Sequence, residues 1–319
     1  MAPIQHPLFV DACAALRRAL ARAAPGELIF VTGMSGAGKS ELRKLTLRDY
    51  AGPQETWGLG RIPAISVPAT PSDQSHFHSK DFIGRWHDQL FAPRVDWLDG
   101  DSKVSRRYEQ ETLAAHQVKA SLSRLEPERQ IRRAVERLSR ERSLRAAFID
   151  EAGSMTYTTK GKPPGDHMVS YMCLAEEIPV VLVLFGVPRM RALWRGNAEI
   201  RRRAQMVFLQ RYRPDSKEAF ARLVATLGDG LPLETPSLLT DNLKLIYHGT
   251  VGVFGELKGF LARADESRLS GGRASIRLRD LEAAVYAKQE LATLHADAVE
   301  FDRLSTPADL QPPTGRKCS

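Results

Sequence analysis

The sequence has 319 residues, of which 43% are hydrophobic, and this is enough apolar material for a large core and for two domains. No stretch approaches the roughly 18 consecutive apolar residues of a membrane-spanning helix, which excludes that class of protein. Lysine and arginine number 46 against 38 aspartate and glutamate residues. The formal net charge of +8 suits a polyanionic partner.

Cysteine usage and the N-terminal pattern indicate the compartment. The three cysteines are too far apart to form a metal-ligand motif or a disulfide framework: Cys13, Cys173 and Cys318. The apolar run at 8–20 is interrupted by Asp11 and by two arginines, which is typical of an amphipathic helix rather than a signal peptide. We therefore expect a protein of the reducing cytoplasm, with an N-terminal helix within residues 1–26.

A glycine-rich motif follows the first predicted strand, at 28–31. Its residues spell the pattern G-x-x-x-x-G-K-S: Gly33, Met34, Ser35, Gly36, Ala37, Gly38, Lys39 and Ser40. In this motif backbone N–H groups surround the α- and β-phosphates of a nucleoside triphosphate, the lysine reaches the β- and γ-phosphate oxygens, and the serine hydroxyl binds Mg²⁺. Glu41 begins the helix whose positive dipole end faces the phosphates, and we include it in the predicted nucleotide site. The motif predicts a site for ATP and Mg²⁺.

The next elements are a second strand at 62–67, a polar loop at 68–79 and an amphipathic helix at 82–91. A strongly charged helical segment follows at about 94–145. Its arginines alternate with glutamates at helical spacing, which favours a solvated helix with i,i+4 ion pairs over direct contact with DNA.

A second motif ends the strand predicted at 146–150. Asp150 and Glu151 are adjacent carboxylates at the end of an apolar run. Asp150 would hold Mg²⁺ through water, and Glu151 would orient the water molecule that attacks the γ-phosphorus. The simpler alternative is a strand that ends in a solvated acidic turn. The paired acids favour hydrolysis over phosphotransfer, because a kinase takes its acceptor hydroxyl from the substrate.

The remaining strands are predicted at 180–185 and 206–209, so that strands and helices alternate as in a parallel sheet of the P-loop NTPase kind. Beyond about residue 215 only helical periods remain, at 217–226, 237–247, 253–264 and 279–292. We therefore predict three regions: an α/β core at 27–214, a helical lid at 215–292 and a flexible tail at 293–319.

A P-loop, an acidic strand end, an apolar strand and a helical lid in this order resemble an AAA+ ATPase. Within that class, over about residues 5–290, the sequence resembles the TniB/TnsC-type transposition ATPases. Besides the two motifs, the resemblance rests on four segments: 64–67, 184–189, 198–203 and the lid phrase at 249–261. The resemblance implies a slow regulatory ATPase that forms a ring or helical filament on double-stranded DNA. Such a protein selects the insertion site and recruits or activates a transposase.

The family also implies residues that sense the nucleotide from a neighbouring subunit and from the lid. An arginine finger is expected among Arg201, Arg202 and Arg203, with Arg203 as the first choice. Alternatively these arginines cap a helix end and bind solvent. In the lid, Lys258 stands where a cation could approach the phosphates, or it is a surface residue. Val187 occupies a strand end where the family has a polar residue, and Ala204 follows the arginines where the family has an aromatic one.

DNA contacts are expected in the loop 72–80, where Ser75, Ser79 and Lys80 can bond phosphate oxygens without reading the base sequence. Arg106 and Arg107 are the next candidates. Three histidines in and after this loop come without cysteine or acidic ligands, so we interpret them as polar residues rather than a zinc site: His76, His78 and His87.

Two other functions fit the same nucleotide site. One is an AAA+ switch in signalling or secretion that never binds DNA, and the other is a P-loop phosphotransferase. A steep loss of DNA affinity with rising salt would distinguish the DNA-binding function from both.

Overall fold

The computed structural model describes residues 6–71, 76–91, 127–158 and 163–306. These residues form two compact units. The first, which we call the sheet unit, comprises the described residues of Asp11–Thr32 and Lys39–Val207. The second, the helical unit, comprises those of Ala2–Val10, Gly33–Gly38 and Phe208–Ser319.

A five-stranded parallel sheet is the framework of the fold. Its strands in chain order are β1 (Leu28–Gly33), β2 (Ala64–Pro68), β3 (Ala146–Asp150), β4 (Val181–Gly186) and β5 (Ala204–Leu209). They are arranged in the order β2-β3-β4-β1-β5, and the register places Phe148 beside Ser66 on one side and Val183 on the other. The carboxyl ends of neighbouring strands therefore meet at one edge, where open parallel sheets bind ligands. The predicted parallel sheet is confirmed.

The central strands are buried along their whole length. Every residue of β1 and β4 is buried, as expected for parallel strands that are covered on both faces. The helices that precede or follow the strands are α1 (Pro7–Arg22), α2 (Lys39–Ala51), α3 (Ser79–Phe91), α4 (Glu128–Glu141), α5 (Pro164–Glu177) and α6 (Ala198–Arg202). Short 3₁₀ helices lie at Ala152–Thr156 and Pro188–Leu193, after β3 and β4.

Helix α4 is the described part of the charged segment predicted at 94–145. Its apolar positions are buried: Ile131, Val135 and Leu138. It carries the i,i+4 pairs Arg132–Glu136, which is partly buried, and Arg137–Glu141, which is exposed, with N–O distances of 3.9 and 3.6 Å. This part of the segment is the amphipathic, ion-paired helix that the sequence predicted, and residues 92–126 lie outside the described residues.

The helical unit contains α7 (Lys217–Gly228), α8 (Leu238–Asp241), α9 (Leu243–Thr250), α10 (Phe254–Ser270), α11 (Leu278–Ala283) and α12 (Lys288–Ser305). Its main core is built on fully buried side chains that include Ile246, Leu257, Phe260 and Leu281. In the described residues no helix is long and apolar enough to cross a membrane.

Helix α12 corrects the predicted tail. The sequence pattern placed one helix at 279–292 and a flexible tail from 293, whereas α12 continues to Ser305. The physical reason is a small apolar cluster in which Ala298 and Phe301 are buried with Met34, Val251 and Val253. Burial of these apolar side chains stabilises a helix that otherwise consists mostly of polar residues. Residues 307–319 lie outside the described residues, and the division between core and lid at 214 stays a prediction.

A nearly buried arginine ties α12 to the rest of the helical unit. Only 9% of the Arg211 side chain is exposed. Its Nε donates to Asp302 Oδ1 at 3.0 Å, and its Nη1 donates to the Tyr247 hydroxyl at 2.8 Å and the Val251 carbonyl at 2.7 Å. The guanidinium therefore joins the chain after β5 to the end of α9 and to α12. Asp302 is its carboxylate partner.

We predict that Asp302→Ala lowers the free energy of unfolding by about 3 kcal/mol, because it leaves a buried guanidinium without its counter-ion. Urea unfolding followed by circular dichroism measures the change. Asp297→Ala is the control, since it removes an exposed carboxylate from the same helix and should cost less than about 0.5 kcal/mol. Equal losses in the two variants would contradict the assigned role of the Arg211–Asp302 pair.

Candidate functional site

Lys39 and Ser40 are the first two residues of α2 and directly follow the glycine-rich loop. Burial lowers the pKa of the Lys39 ammonium to about 8, while the negative charges of Glu151 and Asp150 act in the opposite direction. The charges of both carboxylates of the second motif therefore act on this lysine. An anion brought to this point would favour the charged ammonium, and the N–H groups at the start of α2 would add to that attraction.

Glu41 occupies the first turn of the same helix. Its carboxylate accepts a hydrogen bond from Lys44 Nζ at 3.1 Å, and both side chains are more than half exposed. The predicted part of Glu41 in the nucleotide site stays a prediction.

The two acidic residues lie at the carboxyl end of β3 in an unusual backbone conformation. Asp150 is the last residue of the strand, and its Oδ1 accepts the N–H of Glu151 at 3.0 Å. Glu151 has φ 53° and ψ 34°, the left-handed region that non-glycine residues rarely adopt. Its carbonyl accepts the N–H of Ser154 at 2.8 Å and so starts the 3₁₀ turn. This conformation directs the chain sharply out of the sheet and leaves Glu151 exposed. Strain of this kind concentrates at functional sites.

Arg43 is a site residue that the sequence analysis missed. Its Nε lies 3.0 Å from Asp150 Oδ2, and its Nη1 donates to the Ser66 hydroxyl on β2. The guanidinium side chain is 14% exposed and the Asp150 side chain 22%. Arg43 is three residues after Ser40 and thus one helical turn further along the same face. That spacing is the signal that could have placed it beside the second motif.

The glycine-rich loop itself belongs to the helical unit. Gly36 and Gly38 have φ of +73° and +99°, so both need the conformational freedom of glycine. The Ala37 N–H donates to the Met34 carbonyl at 3.2 Å, which closes the turn, while Ser35 and Gly36 are exposed. The loop has the tight glycine turn that the motif predicts.

Helix α10 packs directly on this loop. The N–H of Gly255, in the first turn of α10, donates to the Gly36 carbonyl at 2.9 Å. A Cβ added to Gly255 would lie 2.5 Å from that carbonyl oxygen, so only glycine fits. Gly255 lies in the lid phrase quoted for the family resemblance, and its contact with the loop is the physical reason for a glycine there.

The end of β4 approaches the turn after β3 at a similar glycine. A Cβ on Gly186 would lie 3.0 Å from the Gly153 nitrogen and 2.9 Å from Met190 Sδ. Val187 follows as the residue before the 3₁₀ helix Pro188–Leu193 and is half-buried. Val187 is apolar, so its side chain offers no polar group to a nucleotide at the position where the resembling family has a polar residue.

The three candidate finger residues differ in exposure. Arg201 and Arg202 are the last residues of α6 and are exposed. Arg203 follows the helix, and its Nη1 lies 3.0 Å from Glu176 Oε2. Its carbonyl accepts the N–H of Leu28 at 3.0 Å, which fixes the backbone beside β1. The finger assignment stays a prediction.

Lys258 lies on α10, one turn beyond Gly255. It is exposed, and its Nζ is 5.9 Å from the centre of the Phe254 ring. Because Lys258 lies one turn from the contact with the glycine-rich loop, it remains a candidate for the cation that approaches the phosphates.

The residues predicted to bind DNA are only partly described. Ser79 begins α3, where its hydroxyl bonds Glu128 Oε1 at 2.5 Å and the Tyr171 hydroxyl at 2.8 Å. Lys80 follows it and is half-buried. Ser75, Arg106 and Arg107 lie outside the described residues.

Oxygen donors dominate the candidate metal site. Within the described ranges no group of three or more His, Cys, Asp or Glu side chains could hold a metal ion. The Ser40 hydroxyl and the Asp150 carboxylate are the hard oxygen ligands that Mg²⁺ prefers, and Mg²⁺ usually binds through one or two carboxylates together with substrate phosphates. The residues present fit Mg²⁺ bound with a nucleotide.

No protein-family model and no curated protein sequence matches the chain. Solved structures do match its fold. The ORC1 protein of Aeropyrum pernix, solved in complex with DNA, is 14% identical with a TM-score of 0.52 over 89% of this chain and 65% of that one. The Cdc6p protein of Pyrobaculum aerophilum is 15% identical with a TM-score of 0.51 over 92% and 71%.

The ADP form of the Aeropyrum pernix ORC2 protein is similar to the same degree. It is 15% identical with a TM-score of 0.51 over 89% of this chain and 70% of that one. These similarities concern the fold, and they agree with the parallel sheet and the C-terminal helices described above. The chain has the fold of the P-loop AAA+ ATPases.

Proposed function

We propose that this chain is an AAA+ ATPase that binds ATP and hydrolyses it slowly to ADP and phosphate. The observation that carries the proposal is that α2 meets the acidic end of β3: Arg43 Nε lies 3.0 Å from Asp150 Oδ2, and the charges of Asp150 and Glu151 act on Lys39. A P-loop lysine beside paired carboxylates is the arrangement that P-loop enzymes use for a nucleoside triphosphate. The turn at Gly36 and Gly38 agrees with backbone N–H groups that surround phosphates.

In this proposal Glu151 acts on the attacking water. Its carboxylate accepts a proton from the water as the oxygen bonds to the γ-phosphorus and the bond to the β–γ bridging oxygen breaks. Lys39 holds the negative charge on the phosphate oxygens. Ser40 and Asp150 would hold Mg²⁺, which supplies charge neutralisation between the β- and γ-phosphates. Glu41 and Lys258 complete the proposed nucleotide contacts.

Assembly into a homo-oligomer is the second part of the proposal. Arg203, or one of the exposed arginines before it, would reach the γ-phosphate of a neighbouring subunit, so that ATP stabilises the interface. Arg203 would exchange its ion pair with Glu176 for the phosphate. Because that pair is partly exposed, its loss costs little.

The third part is sequence-tolerant binding of double-stranded DNA in the cytoplasm and regulation of transposition through a transposase partner. The net charge of +8 and the resemblance to TniB/TnsC-type proteins support this part. The ORC1 structure of the same fold was solved in complex with DNA. Few contacts from each subunit would suffice, because many subunits on one duplex bind together.

The ATPase proposal predicts that Glu151→Gln lowers turnover by about 100-fold or more while ATP still binds, because the amide cannot accept the proton. Phosphate release under single-turnover conditions measures the step, and fluorescent ATP binding measures the affinity. Glu141→Gln, which neutralises an exposed carboxylate on α4, is the matched control. Hydrolysis at the wild-type rate in Glu151→Gln would refute the assignment.

Because Glu151 has a left-handed backbone, a substitution by glycine should change catalytic activity and stability in opposite directions. Glu151→Gly should be equally inactive, yet it should raise the free energy of unfolding by about 1 kcal/mol because glycine adopts this conformation without strain. A loss of stability in Glu151→Gly would contradict the strain assigned to this backbone.

The buried ammonium predicts a pH dependence of nucleotide binding. The pKa of Lys39 is about 8 without ligand, and phosphate charge stabilises its protonated form, so binding above that pH requires proton uptake. The Kd for ATP should therefore be constant below about pH 7.5 and should rise by up to roughly tenfold per unit above pH 8. Lys39→Arg, which stays charged, should give a flat profile whatever its affinity. A wild-type Kd unchanged between pH 7.5 and 9.5 would contradict the assignment.

The DNA proposal predicts ATP-dependent association with unrelated duplexes that is weakened by similar factors in Lys80→Glu, since the new charge repels phosphate. Filter binding in about 50 mM salt, with a slowly hydrolysed ATP analogue, measures the affinity. Lys288→Glu, the same change at an exposed position on α12, is the control. Full affinity in Lys80→Glu would exclude this loop and leave Arg106 and Arg107 as candidates. Wild-type protein that binds no DNA would refute the third part alone.

A further inference from the structure

The ion pair between Arg43 and Asp150 occupies the carboxylate that the proposed function assigns to Mg²⁺, and the inference below rests on that proposal. Arg43 Nε lies 3.0 Å from Asp150 Oδ2. The other oxygen, Oδ1, accepts the N–H of Glu151. Oδ1 therefore accepts a backbone hydrogen bond, whereas Oδ2 faces the guanidinium in an ion pair in which Nε makes no hydrogen bond. A cation, or a water molecule bound to a cation, that approaches Oδ2 meets the positive charge of this guanidinium.

The arginine is the partner of Asp150 that can move away. The Glu151 N–H is fixed by a backbone that turns sharply after β3. The Arg43 guanidinium, in contrast, has a second acceptor in the Ser66 hydroxyl on β2. It therefore keeps a hydrogen bond when it releases Asp150, which makes the release of a side chain that is 14% exposed less costly.

We propose that Arg43 is a positioning residue that competes with the divalent cation for Asp150. Without nucleotide, the guanidinium neutralises the carboxylate and keeps the affinity for free Mg²⁺ low. With nucleotide, the phosphates add ligands for the cation, and the combined attraction displaces Arg43. The cation therefore binds with ATP rather than before it, and Asp150 is never left as an unpaired, largely buried charge.

A purely structural role for Arg43 makes a different prediction. If the residue only joins α2 to β2 and β3, its removal loosens the site, and cation affinity falls or stays constant. If it competes with the cation, its removal raises the affinity. The direction of the change in cation affinity thus separates the two roles.

The test is a Mn²⁺ titration of the nucleotide-free protein followed by electron paramagnetic resonance. Affinity should increase from wild type to Arg43→Lys to Arg43→Gln, because lysine keeps the charge but cannot bond both acceptors, and glutamine removes the charge. The full increase should be roughly tenfold, the size expected for a charge pair close to the surface. Lys44→Gln, which removes one positive charge from an exposed position of the same helix, should leave Mn²⁺ affinity close to wild type.

Arg43→Gln that binds Mn²⁺ no more tightly than wild type, or an equal rise in Lys44→Gln, would overturn the proposal. If circular dichroism shows that Arg43→Gln does not fold, Arg43→Lys is compared with wild type instead. Mn²⁺ affinity no higher in Arg43→Lys than in wild type would then overturn the proposal. A fluorescent ATP titration of wild type with Mg²⁺ present runs in parallel. Absence of nucleotide binding there would refute the proposed ATPase, whereas the Mn²⁺ result concerns Arg43 alone.

Discussion

The site depends on the balance of charge at the carboxyl end of β3. Asp150 and Glu151 bring two negative charges to one turn of backbone, and the start of α2 supplies two positive charges in Lys39 and Arg43. Partly buried charges are tolerated only when they are paired or hydrogen-bonded. The parallel register of β2, β3 and β4 brings the strand ends to one edge, so the same geometry that builds the sheet also brings these groups together. The four side chains are therefore best understood as one electrostatic unit.

The backbone at Glu151 shows how such a unit differs from an ordinary strand end. A strand that simply stops would leave Glu151 in the plane of the sheet, whereas φ of 53° turns the chain into a 3₁₀ helix within one residue. Glycine would adopt this conformation without strain, whereas a glutamate there lowers the free energy of unfolding by about 1 kcal/mol. Packing does not explain why a glutamate occupies this position. The close approach of Gly186 to Gly153 holds the turn against β4. Function accounts for the glutamate better than stability does.

Much of the fold and half of the site could be predicted from the sequence, because the responsible signals are local. The phosphate loop, the strand before it and the acidic strand end are contiguous residues, and the buried strands are uninterrupted apolar runs. Arg43 was missed because its partner is more than a hundred residues away, and pairing across that distance depends on the fold. The extent of α12 was missed because its burial requires Met34 and Val251. The hydroxyl of Ser79, predicted for DNA, bonds Glu128 and Tyr171, whose proximity no local pattern reveals.

The glycine-rich loop also depends on contacts with residues far away in the sequence, which the motif does not contain. Within the helical unit its Gly36 carbonyl accepts the Gly255 N–H at 2.9 Å, and Met34 is buried with Phe301 and Val251. The carbonyl of Val251 in turn accepts a hydrogen bond from Arg211, and Arg211 holds Asp302 of α12. Val251 has φ of 44°, a strained conformation for a β-branched residue, and it is fully enclosed by these contacts. The shape of the loop is therefore determined together with α10 and α12. The loop and these two helices therefore share one set of contacts, and a change of shape at Gly36 or Met34 would alter the packing of both helices.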